Sequence, residues 1–368
     1  MTGRVIRFPA RPMSTADGQA AADRILAVPA SERIARSSEF SLDDPETLLL
    51  LCGRLRQLLD SNPLSVREDA ESLYRFLSEP KRPIGLFDER EYFLGELALV
   101  VGTATRMLAF RDEAGRWFDR AEANFRLTVN AVADWSRVAY QRLAMVLEKR
   151  QFDELLEDLP DLVNSFTKLD MVEDVLKCRS LEGLALMETG DLSKAGVVFE
   201  SIRQEARRLG HDRLIASAGV NLVHVFSQLG ASEEALACAR DVLPLLRKLD
   251  HRIAIAQVQA GIGSLLRARR QMPAALEAYK SARAEYGELG MLADVAAMRL
   301  VIADLLMATG QEPLASQEIL TALPIIEEYK MVPEGKAALA LLRESVREQK
   351  VDHQALRDLH GFFEDSVS

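Results

Sequence analysis

Glycine and apolar positions recur along this chain with a period of 40 residues, and two separate markers carry that period. The first marker is a leucine followed by an acidic residue or glycine, at Leu169-Asp170, Leu209-Gly210, Leu249-Asp250 and Leu289-Gly290. The second marker is the series Arg150, Gly190, Gly230, Arg270, Gly310 and Lys350. A fixed period of this length is typical of a repeat architecture, in which each unit is one supersecondary element.

The pattern within each unit predicts two antiparallel helices joined by a tight turn. In one unit the small residue Gly183 precedes the turn at Gly190, and Ala195 and Phe199 follow it. The small residues let the two helices approach closely, the glycine supplies the turn, and the aromatic ring fills the remaining space. The same order recurs with Gly263, Arg270, Ala275 and Tyr279. One pair cannot bury its apolar face alone, so neighbouring pairs are expected to stack.

This order of small, glycine, alanine and aromatic positions resembles the tetratricopeptide repeat over roughly residues 90–350. The resemblance implies an all-α fold, a right-handed α-solenoid of helix pairs. The usual period of this class is about 34 residues, and we expect the extra residues here to lengthen the second helix. Long units of this kind look like those of kinesin light chains, Rap-type regulators and the solenoid of maltose-type transcription activators. Those relatives bind peptides or proteins, and some respond to small ligands.

The two ends of the chain depart from the period and predict separate segments. The stretch from Ser31 to Ser41 is polar and is expected to form a loop. We predict four segments: a disordered basic arm over 1–16, an N-terminal helical cap over 17–80, the repeat array over 81–350 and a C-terminal capping helix over 351–368.

The net charge and the cysteines indicate which class of partner and which cellular compartment the sequence favours. The net charge of -10 argues against nucleic acid as the main partner. Cys52, Cys178 and Cys238 lie in apolar helical stretches without C-x-x-C spacing, which is typical of buried thiols in a reducing compartment. No apolar run reaches the roughly 18 residues that a membrane span needs, and no secretory signal follows Met1. We therefore expect a cytoplasmic protein without a membrane segment.

No motif in the sequence predicts catalysis, a cofactor or a metal site. A phosphate-binding loop, a nucleophile elbow and a zinc-protease motif are all absent. The glycines in Gly261-Ile262-Gly263 lie in a helical pattern, where small residues at a helix crossing explain them. His353 and His360 are seven residues apart, whereas a metal-binding pair on a helix prefers a spacing of four. Because the repeat and its caps take up nearly the whole chain, we predict that the protein is not an enzyme.

Polar residues on the first helix of each unit are the candidate binding surface. In this repeat class the first helices line an inner groove, and we predict that a peptide or partner protein binds there. Cationic side chains can pair with acidic groups of the ligand, and amides can bracket an extended peptide backbone. The candidate groove residues are Arg137, Tyr140, Lys177, Asn221, His224, Gln257 and Arg267.

Two functions remain open at this point. The first is a non-enzymatic adaptor or scaffold that binds a peptide or partner protein in the groove. The alternative is a regulator that responds to a ligand or peptide and acts in trans on a partner in transcription or signalling, because a ligand can shift the equilibrium between solenoid conformations. The pattern favours no particular oligomeric state.

Overall fold

The computed structural model describes residues 16–79, 87–128, 131–328, 333–347 and 351–367. In these residues the backbone forms 18 α-helices and no β-strand. The all-α prediction is therefore confirmed. Apart from Ala16, the predicted basic arm lies outside the described residues, as does Lys350 of the second marker.

The chain divides into two compact units. The first comprises Met1–Arg106 and Phe110–Val138, and the second comprises Met107–Ala109 and Ala139–Ser368. The predicted boundaries between arm, cap, array and C-terminal helix stay predictions.

In the residues that the structure describes, the first unit contains six helices and the beginning of a seventh. Their bounds are α1 (Ala16–Leu26), α2 (Ala30–Ala35), α3 (Pro45–Leu58), α4 (Pro63–Ser78), α5 (Phe87–Met107), α6 (Arg111–Phe125) and α7 (Ala131–Glu148). Asp44 caps α3, since its carboxylate accepts a hydrogen bond from the backbone N–H of Thr47 at 2.8 Å. The proline at the first position of α3 and α4 fits a helix start, where no N–H is needed.

The predicted loop between Ser31 and Ser41 is wrong in its first half, because α2 occupies it. The side chain of Arg33 is fully buried and explains this helix. Its guanidinium donates hydrogen bonds to the carbonyls that end α1, among them that of Leu26 at 3.1 Å. It also pairs with Asp69 of α4 at 2.7 Å. One buried cation thus fixes α2 between two neighbouring helices.

The second unit continues α7 and, over its described residues, adds eleven helices. Their bounds are α8 (Phe152–Lys168), α9 (Val172–Glu188), α10 (Leu192–Arg208), α11 (Asp212–Gln228), α12 (Ser232–Lys248), α13 (Arg252–Ala268), α14 (Met272–Glu288), α15 (Leu292–Ala308), α16 (Glu312–Glu327), α17 (Pro333–Arg347) and α18 (His353–Val367). In the pair α9/α10 both helices have 17 residues. The two helices of this pair are equally long, and the expectation that the extra residues of the period lengthen the second helix stays a prediction.

Both sequence markers are helix ends with left-handed backbone. Gly190 ends α9 with φ of 87°, and Gly210 ends α10 with φ of 65°. The next N–H after Gly190, that of Asp191, closes back onto the carbonyl of Leu186 at 2.8 Å, as in a Schellman cap. Arg150 and Asp170 adopt the same conformation without being glycine, with φ of 58° and 56°. The 40-residue period thus marks the C-terminal ends of successive helices.

Close helix approach at the small residues is confirmed. Phe199 is fully buried on α10, and a methyl group placed on Gly183 of α9 would lie 2.7 Å from its ring. Gly263 of α13 faces Tyr279 of α14 at the same distance. Each aromatic ring therefore occupies the volume that the glycine leaves open.

First helices of consecutive pairs pack on one another in the second unit, α9 on α11 and α11 on α13. Second helices of consecutive pairs approach each other less closely within the described residues. The first helices α9, α11 and α13 therefore form the tighter layer.

Candidate functional site

A row of polar side chains runs along the exposed face of α11. Ser217, Asn221, His224 and Gln228 follow one another at steps of four, three and four residues, which places them on one side of the helix. Most of the residues between them, such as Leu222, are buried, whereas Phe226 and Ser227 are half-buried. Helix α11 thus packs an apolar face inward and presents a polar row outward.

The neighbouring helix α13 continues this surface with Gln257 and Ser264, which are both exposed. Gly261, between them in the sequence, is buried against α11. A methyl group placed on Gly261 would lie 3.8 Å from Cε1 of His224. Helices α11 and α13 therefore pack closely at this point.

Three of the sequence-predicted residues lie on these two packed helices, Asn221 and His224 on α11 and Gln257 on α13. Asn221 and His224 are half-buried and Gln257 is exposed. Within the part of the chain that the structure describes, none of these three side chains has a hydrogen-bond partner. Burial lowers the pKa of His224, so its imidazole is neutral at neutral pH. The cluster offers uncharged donors and acceptors to a ligand.

Arg137 belongs to a buried ion-pair network in the first unit. Its guanidinium donates to Glu96 at 2.7 Å and to Asp134 at 2.9 Å. Arg56 of α3 also contacts Glu96, at 2.8 Å, and the Glu96 side chain is only 1% exposed. Burial by itself would raise the pKa of Glu96, but the two arginines outweigh it and lower that pKa. The network joins α3, α5 and α7 and gives Arg137 a role in the fold.

The other two predicted cations also form ion pairs with neighbouring acids. Lys177 lies 2.9 Å from Glu173 and 3.1 Å from Asp174 on its own helix, α9. Arg267 of α13 pairs with Asp304 of α15. Ligand recognition through these cations would require breaking existing pairs.

Tyr140, the remaining predicted residue, is half-buried and packs against an apolar cluster of the second unit. That cluster includes Leu143 of its own helix and Leu155 of α8. The seven candidate residues therefore divide into an uncharged group of three on α11 and α13 and four residues with other contacts. Their role in binding stays a prediction.

Two features of the site could have been found in the sequence. An aspartate precedes each cation by three residues in Asp134-x-x-Arg137 and Asp174-x-x-Lys177, a spacing that forms ion pairs on a helix. Gly261 stands 40 residues after Asn221, at the equivalent repeat position, and is buried against Val223 and His224 of α11, at a helix crossing as the sequence predicts.

The residues that the structure describes contain neither a membrane-spanning helix nor a metal cluster. In the described ranges no helix is long and apolar enough to cross a bilayer. No group of three histidine, cysteine or acidic side chains in those ranges could hold a metal ion. All three cysteines are buried, as predicted.

Comparison with known proteins shows the fold. No protein-family model and no curated protein matches the chain. A solved structure of a Rap protein complexed with competence and sporulation factor aligns with a TM-score of 0.54 at 16% identity, covering 91% of this chain and 99% of that one. The Rap conjugation gene regulator of the plasmid pLS20, in complex with the Phr* peptide, aligns with a TM-score of 0.57 at 16% identity, covering 94% and 92%.

These alignments confirm the resemblance to long-unit solenoids at the level of the fold. At this identity they concern backbone architecture alone, and the ligands belong to those two proteins.

Proposed function

We propose that this protein is a non-enzymatic peptide-binding solenoid, whose ligand is an extended peptide or an exposed segment of a partner protein. The observation that carries the proposal is the cluster of Asn221, His224 and Gln257 on α11 and α13. These three polar side chains lack internal partners and lie on two packed helices, so they are available for hydrogen bonding to a ligand.

The chemistry of the cluster suits a peptide backbone. Every peptide unit of an extended segment has an N–H and a C=O that need partners. The amides of Asn221 and Gln257 can each donate and accept, so they match both groups. Since Lys177 and Arg267 are already paired with acids, the ligand is recognised mainly through uncharged groups. That two proteins of the same fold were solved with a peptide or factor bound supports this proposal.

A regulatory role in trans is the second candidate function. A ligand that contacts both α11 and α13 would favour one arrangement of these packed helices and could thereby change the affinity for another protein. The buried thiols of Cys52, Cys178 and Cys238 fit a reducing compartment, and we place the protein in the cytoplasm on that basis.

Selection from a random heptapeptide library displayed on phage tests the binding function. We expect the immobilised full-length protein to enrich a peptide motif, and the variant Asn221→Ala/Gln257→Ala to lose that enrichment. Gln204→Ala is the matched control, because it removes an exposed amide from α10, outside the cluster. The selected peptide, measured by calorimetry, should bind the double variant roughly 10-fold more weakly or worse, as for two lost hydrogen bonds.

Two results would contradict this function. One is a wild-type protein that enriches no motif. The other is a double variant that melts like wild type and binds the selected peptide with equal affinity.

A further inference from the structure

A groove runs between α2 and α4 in the first unit. Helix α2 has 6 residues and α4 has 16, so α2 covers only part of the α4 surface. The groove has a volume of about 510 Å³, which falls within the range of roughly 300–1,000 Å³ that is usual for ligand pockets. It therefore has room for several side chains of a bound segment.

Apolar side chains lie at the base of this groove. Phe76 of α4 is buried and Ile34 of α2 is half-buried, and both line the space. Another face of α4 is covered by α6, since the ring of Tyr74 contacts Trp117 edge to face with centroids 5.1 Å apart. Within the described residues the groove is thus an uncovered face of α4, and its base can take an apolar side chain.

Acidic side chains line the same groove along α4. Glu68, Glu71 and Glu79 stand there with one cation, Arg75, so the lining carries a net charge of -2. Glu71 pairs with Arg75 one turn later, whereas Glu68 is exposed and forms no ion pair within the described residues. Glu68 and Glu79 are about 16 Å apart along the helix axis, at a rise of about 1.5 Å per residue. The groove therefore fits an occupant that combines an apolar side chain with several cations.

The residues that precede α1 have this chemistry. Residues 1–15 contain no acid, and they include Phe8 and the three arginines Arg4, Arg7 and Arg11. An extended chain covers about 3.3 Å per residue, so these arginines extend over up to roughly 23 Å. They can therefore reach the acids at both ends of the groove.

The connection to α1 allows this segment to reach the groove. The C-terminal end of α1 lies against α2, because the carbonyl of Leu26 accepts a hydrogen bond from Arg33. Helix α1 has 11 residues and is therefore about 16 Å long. The chain from Phe8 to Ala16 spans up to roughly 26 Å when extended, so Phe8 can return along α1 to α2.

We propose that the groove between α2 and α4 is a docking site for the chain's own basic arm, in place of the disorder predicted from the sequence of the arm. Phe8 packs on Ile34 and Phe76, and the arginines pair with the acids of α4. Exposed ion pairs stabilise little when taken singly, so the apolar contact and the covalent tether are both needed. The docked arm covers the groove, and a basic segment of another protein reaches these acids only after the arm leaves.

Disulfide trapping in the full-length protein tests this contact. Ala10→Cys puts a thiol on the arm, and Ser72→Cys puts one in the groove. Ala10→Cys/Ala123→Cys is the matched control, because Ala123 is exposed on α6 of the same unit and outside the groove. The three native cysteines are buried and should contribute little to the reaction. Disulfide formation under a mild oxidant is followed on non-reducing gels over a series of protein concentrations.

We expect the groove pair to form an intramolecular disulfide at least about tenfold faster than the control pair, since docking raises the effective concentration of the thiol. Adding Glu68→Gln/Glu79→Gln should slow the groove pair roughly three- to tenfold, as for two lost surface ion pairs. High salt should slow it likewise. Glu154→Gln/Glu157→Gln, which removes two exposed acids from α8, should leave the rate unchanged.

Equal rates for the two cysteine pairs overturn the docking site. A fast groove pair that Glu68→Gln/Glu79→Gln does not slow overturns the pairing with the acids. A disulfide between two molecules, with a rate that rises with protein concentration, overturns the intramolecular contact and indicates that the groove takes the arm of a second copy. The peptide-binding function proposed for α11 and α13 stands or falls separately, by the phage selection.

Discussion

An aspartate followed three residues later by a cation recurs at one repeat position, and one repeat keeps the aspartate without the cation. Asp134 pairs with Arg137, and Asp174 pairs with Lys177. The equivalent residues on α15 are Asp294 and Ala297. The acid is kept there and the cation is lost, so burial raises the pKa of Asp294 to about 7. An acid buried without a counter-ion opposes folding when it is ionised.

Asp294→Asn should therefore stabilise the protein in a pH-dependent way. Below about pH 4 the carboxyl is protonated in the folded and in the unfolded state, so it does not affect the free energy of unfolding. Between pH 4 and 7 the unfolded chain ionises first, so the free energy of unfolding of wild type falls as pH rises. Above pH 7 the penalty is constant, and we expect the variant to be more stable by about 1–4 kcal/mol, the upper figure corresponding to the full shift.

Urea denaturation of both proteins from pH 4 to pH 9 measures this difference. Asp158→Asn, which changes an exposed acid on α8, is the control and should shift stability by less than about 0.5 kcal/mol. A stability difference between Asp294→Asn and wild type that stays constant over this pH range would contradict the prediction.

Arg137→Ala should destabilise the first unit. Glu96 is 1% exposed, and the substitution leaves it with Arg56 as its remaining cation. Removal of one partner from a buried ion pair typically costs about 3–5 kcal/mol, and we expect roughly 3 kcal/mol here. Lys177→Ala is the comparison: Lys177 is 37% exposed, so its loss should cost less than about 1 kcal/mol.

Thermal and urea denaturation of the two variants check this prediction, and Arg137→Ala/Glu96→Gln should recover part of the loss. If Arg137→Ala instead melted like wild type but failed to bind the selected peptide, Arg137 would belong to the groove, as the sequence suggested.

At the scale of the helix pair, the contact between glycine and aromatic ring sets the packing. Gly183→Ala gains helix propensity of roughly 1 kcal/mol. Its methyl group, however, would lie 2.7 Å from the fully buried ring of Phe199. Overpacking of a core typically costs about 1–3 kcal/mol, and we expect a net loss of about 1 kcal/mol. Gly287→Ala, the control, should gain about 0.5 kcal/mol, since it lies near a helix end. Equal stability changes in the two variants, measured in urea, would contradict this account.

The sequence was most informative at this scale, for a physical reason. Left-handed helix ends and close helix crossings restrict residue type, so Gly190, Gly183 and Phe199 are visible as a period. The helix α2 was missed, because a single long-range contact of Arg33 holds it. No local sequence pattern predicts such a long-range contact.

The candidate site was only partly visible from the sequence. Periodicity identified the exposed face of the first helices, and it placed Asn221, His224 and Gln257 there. It could not show that Arg137 is committed to Glu96, because those residues are 41 positions apart on different helices. Whether a polar side chain is free or paired depends on tertiary contacts.

At the scale of the molecule, a stacked array predicts how mutations combine. Each repeat of a solenoid contacts its neighbours alone, so stability is a sum of unit and interface terms. In the second unit, Val242 and Ile319 lie in different apolar clusters, one around α11 and one around α15. Gly219 and Val242 are neighbours, because a methyl group placed on Gly219 would lie 3.0 Å from the valine side chain.

Val242→Ala and Ile319→Val should therefore destabilise additively, to within about 0.5 kcal/mol. Val242→Ala and Gly219→Ala should not, because the shortened side chain makes room for the new methyl group. We expect the second pair to be less destabilising than the sum of its single changes by about 1 kcal/mol. Urea denaturation, followed by both circular dichroism and intrinsic fluorescence, gives the free energies for the two cycles. Coupling larger than about 0.5 kcal/mol between Val242 and Ile319 would mean that the second unit folds around one shared core, and not as a stack of separately packed pairs.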